Sequence, residues 1–162
     1  MANFQAFDGV VTKIDDFSIG QNNEAGCYKL FSVDDGHGAT VNFVVEPTTY
    51  FVDHVMVAVG DRVTGFYDAN APVPLIYPPQ LRALVMARDT PNQSVKVDHF
   101  NRRFESSDGT LRLNIAPHTR ILLENGQVFT GSIGNRNLIV VYGATTRSIP
   151  AQTTPTTIIV MC

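Results

Sequence analysis

The chain carries one pattern twice. Tyr67, in Phe66-Tyr67-Asp68-Ala69, leads across a proline-rich stretch to Ala83-Leu84-Val85-Met86. Tyr142, in Val141-Tyr142-Gly143-Ala144, leads across a second proline-containing stretch to Ile158-Ile159-Val160-Met161. Both Tyr-to-Met intervals span 19 positions. Upstream, Thr40-Val41-Asn42-Phe43-Val44-Val45-Glu46-Pro47-Thr48-Thr49 matches Thr110-Leu111-Arg112-Leu113-Asn114-Ile115-Ala116-Pro117-His118-Thr119 at an offset of 70. The later match needs an offset of 75, so the second copy is read with about five extra residues in between. A repeat of this length restricts the fold to two similar small units, expected over residues 1–90 and 91–162.

Turn and strand signals recur in the same order in each copy. Phe7 to Ile14, Tyr28 to Val33, Ala39 to Val45, Arg62 to Tyr67 and Leu81 to Ala87 read as strands, with Asp15 to Gly26 as a polar loop. Val41, Phe43 and Val45 alternate on one face, and Asp34-Asp35-Gly36-His37-Gly38 is a hairpin turn signal. Tyr50 to Val59 is read as a short helix or turn. In the second copy, strands are expected at Val95 to Phe100, Arg103 to Ser106, Leu111 to Ile115, Leu138 to Tyr142 and Thr157 to Met161. A turn at Ser107-Asp108-Gly109 joins the second and third of these, and Arg120 to Thr130, with its Asn125-Gly126 turn, replaces the connecting segment. The fold class is therefore all-β.

One strand, a hairpin, a connection and two further strands per copy resemble the OB-fold, a five-stranded Greek-key barrel. Val59-Gly60-Asp61-Arg62-Val63 is similar to the Val-Gly-Asp turn ahead of strand four in such barrels, and Gly134-Asn135-Arg136-Asn137-Leu138 is its degraded counterpart. The resemblance implies two tandem five-stranded barrels arising from an internal duplication. A double sandwich is another all-β arrangement that the pattern admits. The sequence as a whole also resembles short proteins of clostridial-type bacteria.

Charge separates the two copies. Residues 1–90 hold five Lys/Arg and eleven Asp/Glu, a net −6, whereas residues 91–162 hold seven and four, a net +3. Opposite halves favour head-to-tail contact between copies, or give the second half a basic binding face. Charged residues make up only 17% of the chain, so its surface rests on Thr, Asn, Ser and Gln and repels other copies weakly. Met1 to Val10 has no basic segment followed by an apolar run, and no stretch approaches a membrane span. The expectation is a chain made in the cytoplasm without a signal peptide and without a membrane partner, a cell or spore surface being one final location.

Little in the sequence points to catalysis. His37, His54, His99 and His118 form no HExxH pattern, and the Ser106-Ser107-Asp108 group lacks the surroundings of a nucleophile elbow. Asp15-Asp16 and Asp34-Asp35 are adjacent pairs whose members, on a strand, point to opposite faces. No catalytic residue, metal ligand or cofactor is expected. Gly36-His37-Gly38 lacks the lysine of a phosphate loop and is plainly a turn. Cys27 and Cys162 have no zinc spacing; they are candidates for a disulfide between copies, and the plainer reading is two free thiols.

Two functions follow as expectations. The first is a non-catalytic, self-assembling subunit of a homo-oligomer or filament. It rests on the duplication, the low charge, the terminal thiol and the carboxylate-free stretch Thr145 to Thr157, which suits pairing along a neighbour's sheet edge. The alternative is a binding module for single-stranded nucleic acid, with Arg102, Arg103, Phe104, Arg112 and Arg120 as its face. An acidic chain with pI near 5.7 exerts no general pull on phosphate, which weighs against that alternative. Tyr67, Tyr77 and Pro78-Pro79 form a neutral platform for an oligosaccharide or peptide, or else a rigid loop.

Overall fold

The computed structural model describes residues 2–18 and 26–162. It is all-β, with strands in multiple sheets. Residues 19–25 of the polar loop lie outside the described residues. Two compact units divide the chain, Met1–Asp89 and Thr90–Cys162.

The first unit contains β1 (Phe4–Asp16), β2 (Lys29–Asp34), β3 (Thr40–Val45), β4 (Tyr50–Phe51), β5 (Arg62–Asp68), β6 (Gln80–Arg82) and β7 (Val85–Arg88). Their order is β4-β7-β5-β1-β2-β3-β6. β1 serves two partners because it is long and bulged. Phe4–Val10 pairs with β5, Val10–Asp16 pairs with β2, and the register slips between Val11 and Lys13, where a bulge bends the strand. The β2–β3 hairpin turns on two glycines, Gly36 at φ 81° and Gly38 at φ 93°, values that L side chains rarely adopt. Asp35 accepts the amides of His37 and Ala39 across that turn, and those bonds hold its carboxyl below the usual range.

Period-two alternation places Phe31, Val33, Val41, Phe43 and Val45 in the core with Val11, Val63 and Met86. Phe43 is fully buried, 6.4 Å from the rings of both Phe7 and Tyr67. Gly65 makes room for it: a Cβ there would lie 2.5 Å from the Phe43 ring.

The fifth strand expected over Leu81 to Ala87 is divided. Gln80–Arg82 pairs parallel with β3, whereas Val85–Arg88 pairs antiparallel with β5. The helix or turn expected at Tyr50 to Val59 begins as the two-residue β4 and continues as one 3-10 turn, Val52–His54.

The second unit contains β8 (Ser94–Phe100), β9 (Leu111–Leu113), β10 (Arg120–Leu123), β11 (Arg136–Tyr142), β12 (Ala151–Thr153) and β13 (Thr157–Met161). β12 pairs parallel with β9, β13 antiparallel with β11, and β10 parallel with β13. These pairings repeat β6 on β3, β7 on β5 and β4 on β7. The core is Phe100, Leu111, Leu113, Ile133, Leu138, Val140, Ile158 and Val160.

Three differences separate the second unit from its expected form. Arg103 to Ser106 is not a strand, because Asn101 folds it into a turn. The Asn101 Oδ1 accepts the amides of Arg103 and Glu105, and Phe104 sits at φ 62°. The long β1–β2 hairpin thereby shrinks to the stretch from Phe100 to Ser106, joined by a single bridge. The last strands also align differently. Leu84 N donates to Phe66 O and Thr156 N donates to Val141 O, so β5 and β11 match at an offset of 75 but the following strands match at 72. The second unit gains five residues before β11 and loses three after it. The two cis bonds, Tyr77–Pro78 and Ile149–Pro150, share the offset of 72.

The third difference concerns Thr145 to Thr157, expected to be available to a neighbour's edge. Ala151–Thr153 is already in a ladder with Leu111–Leu113, and Thr157 opens a strand that lies between β10 and β11. Thr146 fastens the loop by donating its amide to Gln152 O and accepting the Gln152 amide on Oγ1.

Candidate functional site

Two places hold side chains that the fold leaves uncommitted. The first is the connection between β5 and β6. Both of its feet are tied down: Ala71 N donates to Asp68 O, and Asn42 N donates to Pro79 O. The Asp68 carboxylate accepts the amides of Asn3 and Asn70, which hold it below the usual range. Between the feet runs Pro72-Val73-Pro74-Leu75-Ile76-Tyr77-Pro78-Pro79, whose prolines restrict φ and remove donors. Its apolar side chains face solvent: Val73 is 48% exposed, Leu75 101%, Ile76 50% and Tyr77 79%. We term this segment the arm. The arm's Pro72, Val73 and Pro74 form part of the wall of a cleft of about 260 Å³, whose other apolar lining includes Phe17, Tyr67 and Leu81, with Asp68, Gln80 and Arg82 as its larger polar members. The counterpart in the second unit, Thr145-Thr146-Arg147-Ser148-Ile149, is polar except for Ile149.

The second place is a groove of about 560 Å³ in the second unit, lined by Arg102, Phe104, Ser132, Gly134, Asn135 and Arg136. Two turns form it. One is the Asn101 turn; the other precedes β11, with Asn135 at φ 60° in the place Gly60 takes in the first unit. The two turns pack together at Gly134, where a Cβ would stand in ordinary van der Waals contact with Arg102 Cα and Phe104 Cε1. Arg136 is held firmly. Its Nε donates to Ser132 O at 2.7 Å, and its guanidinium lies 4.9 Å from the centre of the Phe129 ring.

Of the expected basic face, the groove unites Arg102 and Phe104 and leaves out Arg103, Arg112 and Arg120. Phe104 is half-buried against the second core rather than splayed out. Arg120 donates from Nη2 to Thr157 Oγ1 at 3.4 Å. In the first unit the strand aromatics Phe31 and Phe43 are core residues. Arg136 and Asn135 were not expected at a site; the only cue is a Gly-Asn turn next to an arginine.

Ion pairing differs between the units. In the first, Lys13, Lys29, Arg62 and Arg82 pair with Asp15, Asp16, Asp8 and Glu46. In the second, only Lys96 is paired, with Asp108, among the described residues. Arg102, Arg103, Arg112, Arg120, Arg136 and Arg147 have no carboxylate partner there.

Cys27 and Cys162 are exposed free thiols. Cys162 sits in a shallow depression with Leu123, Glu124, Asn125 and Val160, where burial raises the Glu124 carboxyl above its ordinary value. Among the described residues, no group of His, Cys, Asp and Glu could hold a metal ion, and no helix is long and apolar enough to cross a membrane. His37 is exposed in its glycine turn and His118 is exposed after Pro117. His54 stands edge-on to Tyr50, and His99 lies between Asn135 and Asn137. Comparison with family models, curated proteins and solved structures finds no significant match.

Proposed function

We propose that this is a non-catalytic, self-assembling β protein built from two tandem barrels of the OB type. The strand pairings support the barrel reading. β1 pairs with both β2 and β5, β3 pairs with β6, and β5 pairs with β7. β6 and β7 are two parts of one run, the first pairing with β3 and the second with β5, which is the chain path expected of the last strand of a five-stranded barrel. The second unit repeats the β3–β6 and β5–β7 pairings.

Assembly rests on the arm. A fully exposed leucine at the middle of a braced, proline-rich segment forgoes roughly 2 kcal/mol of burial, and contiguous exposed apolar side chains of this kind belong to contact surfaces. The cleft beside it supplies apolar walls of suitable size for Leu75 or Tyr77. The arm of one copy enters the cleft of the next. Such contact yields a closed ring or dimer if the rotation closes and a filament if it does not. Exposed Cys27 and Cys162 are available to lock neighbouring copies where the compartment is oxidising.

Negative-stain electron microscopy of the purified protein, with and without reductant, tests this reading. Rings or filaments are expected, with reductant reporting on the thiols. A field of separate single-copy particles in both conditions contradicts it.

A further inference from the structure

We infer that the groove of the second unit binds a phosphate ester, carried by a nucleotide or by the backbone of a single-stranded nucleic acid. The inference goes beyond assembly and does not depend on it. Arg136 is the centre of the argument. Its Nε is satisfied by Ser132 O and its plane is set by Phe129. Its two Nη groups donate to no acceptor among the described residues. A guanidinium fixed in this way has lost its rotamer freedom before any ligand arrives and presents a planar fork, the geometry that suits two oxygens of a phosphate.

Arg102 adds a second guanidinium to the same groove. No carboxylate lines the groove. Two cations without a counter-ion repel each other, and a bound anion relieves that repulsion. The other polar groups add donors. The Asn135 amide lies 3.1 Å from His99 Nε2, and in either orientation of that amide at least one Nδ2 hydrogen has no protein acceptor among the described residues. Ser132 Oγ accepts only a long 3.4 Å bond from Gly134 N and is free to donate. Two forks and two neutral donors match an anion with three or more oxygens better than a carboxylate with two. Phe104, half-buried at the groove wall, offers an apolar surface to the sugar or base attached to the phosphate.

The test is binding by the full-length protein, measured by fluorescence anisotropy with a labelled thymidine oligonucleotide and by calorimetry with thymidine monophosphate. The variants are Arg136→Gln and Arg102→Gln, with Arg147→Gln as a control of equal charge change outside the groove. At least one probe should bind, with affinity falling as salt rises. Arg136→Gln and Arg102→Gln should each weaken it by about tenfold or more, while Arg147→Gln changes it less than about twofold. Tight binding of the oligonucleotide alone assigns the backbone as the source; equal binding of the monophosphate assigns a nucleotide. If neither probe binds, or if Arg147→Gln weakens binding as much as Arg102→Gln, the inference is overturned. Arg102 is exposed in a turn, so its variant stays informative even if Arg136→Gln unfolds the unit.

Discussion

At the scale of single residues, the two copies trade volume. Gly65 accommodates Phe43 in the first core. At the matching offsets of 75 and 70, the second core holds Val140 and Leu113, both fully buried. A small residue faces a large one in one copy, and two of middle size meet in the other. Gly65→Val should therefore destabilise the first unit by about 2–3 kcal/mol through overpacking. Adding Phe43→Leu should recover part of that loss, with a coupling of roughly 1 kcal/mol or more in a double-mutant cycle measured by denaturant unfolding. Additive effects would mean that the two positions do not share the space.

Threonine at the end of the Pro-x-Thr match makes the same bonds twice. Thr49 Oγ1 accepts Glu46 N and donates to Ala83 O, while Thr119 Oγ1 accepts Ala116 N and donates to Pro155 O. Thr119 is buried, so Thr119→Val should cost about 1–3 kcal/mol by leaving Ala116 N and Pro155 O without their partner. This equivalence was legible in the sequence, because a short hydroxyl with a fixed backbone role keeps its place in the motif. The Gly65–Phe43 exchange was not, since compensating volumes leave no local signature.

Among the elements, the turn from Ser106 to Leu111 shows how a shortened hairpin is held. Ser106 Oγ donates to Asp108 and accepts the amides of Thr110 and Leu111. Asp98, buried at 6% exposure, accepts Ser107 Oγ. Asp98 occupies the place of Gly9, where β1 approaches the Asp34 backbone so closely that a Cβ would lie 2.3 Å from Asp34 O. Burial pushes the Asp108 carboxyl up, but hydrogen bonds from Lys96, Ser106 and Thr110 outweigh it and hold the group well below its usual range. A carboxyl whose folded value is depressed stabilises the fold above its unfolded pKa of about 3.9, and that contribution is lost as pH falls toward the folded value. Asp108→Asn should cost about 1 kcal/mol near neutrality, a figure reduced for the solvent around this half-exposed group. The gap from the native protein should narrow as pH falls below about 4. Thermal melts of both proteins across that range check the sign, and a gap that widens in acid would refute it.

Strand existence was easier to read than strand partnership. The alternation of β2 and β3 was plain, and Thr157 to Met161 has the expected bounds. The division of the fifth strand at Ala83-Leu84 was hidden, because a continuous apolar run looks the same whether it keeps one partner or changes. The shift from 75 to 72 was hidden for the same reason. Ala, Leu, Val, Ile and Met match one another in any register, and the ladder with Phe66 or Val141 decides it. Arg103 to Ser106 was misread as a strand because the Asn101 turn depends on a side-chain oxygen reaching forward to two amides.

For the whole molecule, the two units repeat a strand plan and diverge in surface. The first holds four of its five basic residues in ion pairs and exposes an apolar arm. The second leaves its arginines unpaired and gathers two of them at a groove. Charge asymmetry was visible in the sequence, whereas the arm read as a ligand platform or a rigid loop and not as an apolar projection, because exposure is a property of packing and not of composition.

Assembly of this kind requires the arm to join one copy to another. Sedimentation velocity over a concentration series, comparing the native protein with Leu75→Asp in reductant, tests this most directly. The native protein should sediment as species larger than one copy, increasingly so with concentration, and Leu75→Asp should shift it to the monomer with its folded spectrum unchanged. A native protein that stays monomeric throughout, or a Leu75→Asp variant that assembles as the native protein does, would contradict the account.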